Sequence, residues 1–126
     1  MLYHLSEINH NNKVFTPRVP HSIMDDEEME DNKTKRICFS TTISGAYRAI
    51  QFHPNDKMEL YVHVPYDDNV RYYHPTEKQV YDCKFTNEVW VKRKTRMKCI
   101  GKIKAYFIKD YFHWRPKVRF KWIEKY

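Results

Sequence analysis

The chain has 126 residues, of which 41% are apolar and 16% aromatic, with ten tyrosines, only two glycines and a net charge of +7. That is enough apolar surface for one folded domain over 1–126 with a modest core, and too much for a disordered chain. No apolar run reaches the length of a membrane span and the start lacks a basic-then-apolar leader, so a cytoplasmic protein without membrane association is expected.

The three cysteines, Cys38, Cys83 and Cys99, have no CxxC spacing. An odd number at such spacings argues against a disulfide framework or a zinc site and for reduced thiols. The seven histidines are scattered, and His63 and His74 are too far apart in sequence to pair on a metal, so no metal site is expected.

Charge is unevenly placed. Residues 1–91 carry 10 Lys/Arg against 14 Asp/Glu, whereas residues 92–126 carry 13 against 2, a net of +11 in the last stretch. A split of this size points to a face that binds something acidic, either nucleic acid or a protein.

In chain order, MLYHLSEI (1–8) suits a short strand, ended by a polar turn over Asn9 to Asn12. VFTPRVP, with Pro17 and Pro20, reads as extended and irregular, and DDEEMED (25–31) as an acidic loop or short helix. RICFSTT (36–42) is a strand pattern, and Ile43, Ala46, Tyr47 and Ile50 recur on one face of a helix near 41–51, with Thr41 or Thr42 as its N-cap. MELYVHVPY (58–66) alternates as a strand. The stretch from Asp67 to Phe85 is loop-like, with weak strand signals at 70–73 and 79–83. EVWVKRK (88–94), KCIGKIKAYFI (98–108) and KVRFKWIEKY (117–126) are three further strands with basic outward faces. These elements predict an α+β fold: a mostly antiparallel split sheet or sandwich with one or two short helices.

Three short motifs follow one another in an informative order: Tyr3-His4-Leu5-Ser6, then Cys38-Phe39-Ser40-Thr41 leading into Ser44-Gly45-Ala46-Tyr47, then Asn87-Glu88-Val89-Trp90. This order resembles the ADP-ribosyltransferase superfamily, in the branch with His, Tyr and Glu motifs, and implies an ADP-ribosyltransferase-like fold. The resemblance implies NAD as cofactor and ADP-ribose transfer to a macromolecular acceptor. His4 would hold a ribose hydroxyl, Ser6 would sit beside the nicotinamide amide, Tyr47 would stack on the nicotinamide and Glu88 would stabilise the ribosyl cation. Ser40, Thr41 and Ser44 would line the nucleotide cleft. A carboxylate suits this chemistry because the breaking glycosidic bond develops oxocarbenium character.

A second reading comes from the basic stretches KRKTRMK (92–98) and FHWRPKVRFKW (112–122). Lys92, Arg93, Lys94 and Arg96 form a basic run, and Arg115, Lys117 and Arg119 interleave with aromatics, which together suit phosphate contacts combined with base stacking. Strand alternation would place many of these charges on one sheet face. On this reading the chain is a non-catalytic binding protein that engages nucleic acid or an acidic protein, with salt-sensitive affinity. The short length and basic tail also suit a small phage or mobile-element protein that modifies or occludes a host factor.

Overall fold

The computed structural model describes residues 1–19, 31–50, 57–108 and 117–126. Pro20, the acidic run before Asp31, position 51 of the expected helix, and Arg115 lie outside the described residues.

Among the described residues, alternating apolar positions build seven strands: β1 (His4–Ser6), β2 (Val14–Phe15), β3 (Ile37–Ser40), β4 (Met58–Pro65), β5 (Glu88–Val91), β6 (Thr95–Ile108) and β7 (Lys117–Lys125). Two short helices join them, α1 (Ile43–Arg48) and α2 (Cys83–Thr86). All strand pairings are antiparallel. The result is the mostly antiparallel α+β class that the sequence predicts.

The long strand β6 organises the larger sheet. β4 pairs along one of its edges, with β1 outside β4. The other edge takes β2 at Thr95 and Arg96 and β7 from Gly101 onward. β3 and β5 form a separate ladder in which Ser40 faces Glu88 and Cys38 faces Trp90. This ladder is tied to the first segment by reciprocal backbone bonds between Tyr3 and Ser40, 2.8 and 3.0 Å.

A bulge decides how the cores are arranged. Val62 pairs Gly101 but His63 pairs Cys99, leaving Ile100 as the extra residue on β6. Before the bulge, Met97 packs with Leu2, Ile37, Phe39, Val89 and Val91. After it, Ile103 and Ala105 pack with Leu5, Tyr47, Leu60 and Val62 on the opposite face. Each odd-numbered residue of β6 from Thr95 to Ala105 is therefore buried, yet the strand serves two cores. Gly101 makes the turnover feasible: its φ is 153°, and a Cβ there would collide with the Glu124 carbonyl and meet the Trp122 ring at 2.8 Å.

Several boundaries differ from the sequence expectations. The first strand is confined to His4–Ser6, because the Ser6 hydroxyl accepts the Ile8 N–H at 3.1 Å and turns the chain. α1 covers only Ile43–Arg48, capped by the Thr42 hydroxyl, which accepts the Gly45 N–H at 2.9 Å. Of the strand signal at 79–83 only Val80 takes part, as a bridge residue, and the chain then turns into α2. Val80 and Cys83, three apart, both pack on Trp90, and the Asp82 carbonyl starts α2 by accepting from Phe85 and Thr86. Period three, not period two, satisfies that segment. At 70–73 only Tyr73 takes part, through a bridge to Trp90. Of EVWVKRK, only Glu88–Val91 is strand.

Candidate functional site

The residues expected around a nicotinamide do not meet. His4 and Leu5 are neighbours on β1 and take opposite faces of the sheet. Leu5 packs with Tyr47, whereas the His4 ring abuts Phe15 and Phe39, with ring centroids 5.2 and 6.4 Å apart. Tyr47 is fully buried and rests on Phe107 at 4.9 Å, so its ring presents no face to a ligand. Glu88 shares the Ser40 and Trp90 side of the small ladder, away from Phe39 and therefore away from His4.

Glu88 has a clear structural task. Its carboxylate accepts the Trp90 indole N–H at 2.9 Å, while the Arg36 guanidinium lies 4.3 Å from the centre of the same indole. Burial pushes the Glu88 carboxyl above its usual range, and the indole bond opposes that shift. Ser40 is likewise committed, donating to the Thr86 carbonyl at 2.7 Å and accepting from the Thr42 N–H at 3.2 Å. Ser44 is partly buried within α1. Thr41 and Glu88 do share a cleft of about 310 Å³, together with His74, Glu77, Lys84 and Asn87. They are the two expected site residues brought together there, without His4 or Tyr47.

The opposite side of β1 holds a cluster that sequence spacing hides. His4 pairs directly with His63, and the turn after β1 brings His10 against both. Ring centroids are 6.0 Å apart for His4–His63, 5.4 Å for His10–His63 and 6.4 Å for His4–His10. His63 Nε2 accepts the His10 backbone N–H at 2.8 Å, which leaves its proton on Nδ1, 3.3 Å from the His4 carbonyl. The Ser6 hydroxyl lies 3.1 Å from His10 Nε2. Both nitrogens of His63 are thus occupied by the backbone, and among the described residues no group of three His, Cys, Asp or Glu is arranged to hold a metal ion. Burial lowers the His4 and His63 pKa values to about 4 and also lowers that of His10. The cluster is a neutral fastening between β1, the following turn and β4. Its members are 6 and 53 residues apart in sequence, so only the β1–β4 register joins them.

The basic residues separate into two groups, which corrects the single-face expectation. Lys92, Arg93 and Lys94 sit in the turn between β5 and β6. Arg93 pairs with Asp67 at 2.7 Å, Lys92 lies 4.5 Å from the Tyr73 ring centre, and Arg96 donates to the Asn12 carbonyl at 2.8 Å. Because of the bulge, Arg96 and Lys98 project from the face opposite to Lys102 and Lys104. Beyond it, cross-strand rows form a grid: Tyr61–Lys102–Glu124, Glu59–Lys104–Lys121, and Tyr106 beside Arg119 with the Lys57 ammonium 5.5 Å from the Tyr106 ring centre. Lys117 opens β7, opposite Ile108 at the end of β6.

Glu59 is 4.0 Å from Lys102, and Glu124 is bonded to the Tyr126 hydroxyl at 2.6 Å. Lys57, Lys104, Arg119 and Lys121 instead line one concave site of about 480 Å³ with Tyr106, Val118 and Phe120. Among the described residues none of these four cations forms a salt bridge. Sequence reasoning found Arg119 but missed Lys57, Lys104 and Lys121, which only the β4–β6–β7 register assembles. No helix among the described residues is long and apolar enough to cross a membrane. No protein-family model, curated protein or solved structure matches this chain.

Proposed function

We propose that this protein binds nucleic acid through the outer face of β4, β6 and β7. The observation that carries this reading is the direct opposition of Lys104 and Lys121 in a concave site that also holds Lys57 and Arg119. Like charges placed directly across a sheet destabilise it. Phosphate between them removes that cost, and among the described residues neither lysine is held in a salt bridge. Contacts of this kind position a backbone without reading base sequence.

Binding of a fluorescent oligonucleotide, followed by anisotropy across a salt series, tests the proposal. Four phosphate contacts on a single strand give a slope of log K against log salt of about −3. Lys121→Glu should weaken binding at least about tenfold, since it replaces one attraction by a repulsion. The same change turns the opposed lysines into an opposite-charge pair, so the urea midpoint should hold or rise, by about 0.2–1 kcal/mol. Salt-independent binding, or full affinity in Lys121→Glu, would overturn the reading.

The NAD-dependent, ADP-ribosyltransferase-like reading rests on Thr41 and Glu88, which share the smaller cleft. NAD turnover that disappears in Glu88→Gln, with folding intact, would restore it.

A further inference from the structure

We infer that the bound nucleic-acid backbone runs along β7, with successive phosphates at Lys117, Arg119 and Lys121, and ends at Glu124. This path rests on the nucleic-acid reading above and gives it a direction and a footprint.

Lys117, Arg119 and Lys121 are alternate residues of β7, opposite Ile108, Tyr106 and Lys104 of β6, so they share one face, and all three are exposed. Alternate residues of a strand lie about 6.8 Å apart. A nucleic-acid strand carries one charge per about 3.4 Å of helix axis and winds as it rises, which leaves neighbouring phosphates about 6–7 Å apart. The cations of β7 therefore repeat at the spacing of the charges they would meet.

Rows across the sheet do not. Lys104 and Lys121 are direct cross-strand partners, with β-carbons about 5 Å apart, closer than two neighbouring phosphates. They suit one phosphate held between them. Lys57, just ahead of β4, is two strand spacings from Arg119, about 9.6 Å, which matches neither one phosphate step nor two. Its ammonium, 5.5 Å from the Tyr106 ring centre, reaches the track only from the side.

The track also has a defined end. Ile123 is the extra residue where the β6–β7 register shifts, so Glu124, opposite Lys102, is the next side chain after Lys121 on this face. Glu59 lies 4.0 Å from the same Lys102. Two carboxylates beside that lysine repel a further phosphate.

The test uses the full chain and anisotropy at one low salt concentration, with oligo(dT) probes of about two and about six phosphates and poly-glutamate as the protein-like polyanion. The short probe fits over Arg119 and Lys121, where Lys104 adds a third cation, and leaves Lys117 unused. Lys117→Gln should therefore weaken the long probe about three- to tenfold and leave the short one unchanged. Lys57→Gln, at an equally exposed position, should cost the long probe less. Glu124→Gln keeps an acceptor for the Tyr126 hydroxyl and removes the repulsion, so the long probe should bind about two- to threefold tighter. Lys117→Gln without a loss confined to the long probe, a larger loss in Lys57→Gln, or no gain in Glu124→Gln overturns the β7 path and leaves the nucleic-acid reading standing. Poly-glutamate binding as tight as the long probe, or no binding of the long probe, overturns both.

Discussion

Glu88 bonds the Trp90 indole, and that bond predicts what its removal does. In Glu88→Ala the indole N–H, on a residue only 1% exposed, loses its acceptor. Leaving such a buried donor unsatisfied should cost about 1–3 kcal/mol of stability, read from urea unfolding. Glu88→Gln retains an oxygen acceptor and gives up a charge that burial already disfavours, so its loss should stay below about 1 kcal/mol. Equal losses in the two variants would refute the structural role. The motif Asn87-Glu88-Val89-Trp90 was legible as a turn entering a strand. That Glu88 answers Trp90, two residues on along the same strand face, was not, because a carboxylate at a strand start reads equally as a catalytic group.

At the level of elements, β6 shows how one alternating pattern can serve two cores. Its uniform alternation made the strand easy to read, but the same alternation concealed the bulge at Ile100. Side chains on both sides of the bulge look alike in sequence, and only the pairing with β4 shows that the face has changed. Gly101 is the sensitive point. Gly101→Ala combines an unfavourable φ with the Glu124 carbonyl and Trp122 ring in the space the methyl would need. A loss of about 1–3 kcal/mol is expected for the backbone strain alone. The urea midpoint should fall with an unchanged m-value, since the exposed surface on unfolding does not change. A neutral Gly101→Ala would show that the β6–β7 pairing does not depend on that close approach. The segment before α2 carries the same lesson in reverse: Val80 and Cys83 lie three apart, in a stretch too short for its period to declare itself, and only Val80 keeps strand character, as a bridge residue.

For the whole molecule, the histidine fastening predicts acid sensitivity. His4 and His63 titrate at about 4 in the folded protein against 6.5 for a free imidazole. As pH falls below 6.5, the unfolded chain takes up protons that the folded chain excludes, so stability declines between about 6.5 and 4 and then levels with respect to these rings. Protonation also turns His63 Nε2 from acceptor to donor, facing the His10 N–H. Glu88 and Asp82, raised by burial, act in the opposite sense at the lower end of that window. The histidine contribution is therefore best isolated by a variant. Urea midpoints at about pH 7 and pH 4.5 should differ more for the parent protein than for His4→Gln. An identical pH dependence in both would exclude His4 from the effect.

Alternation, proline placement and the charge split are local or additive properties. On these the amino-acid sequence by itself determined the α+β class, the main strands β4 to β7, the helix after β3 and the strongly basic C-terminal third. The meeting of distant side chains is not local. The register of β4, β6 and β7 decided that Lys57, Lys104, Arg119 and Lys121 share a site. The bulge decided that Arg96 does not join them, and the two faces of β1 decided that His4 and Tyr47 lie in separate cores. A one-residue shift in pairing reverses a strand's faces without altering its pattern, which is why those relations belong to the tertiary structure.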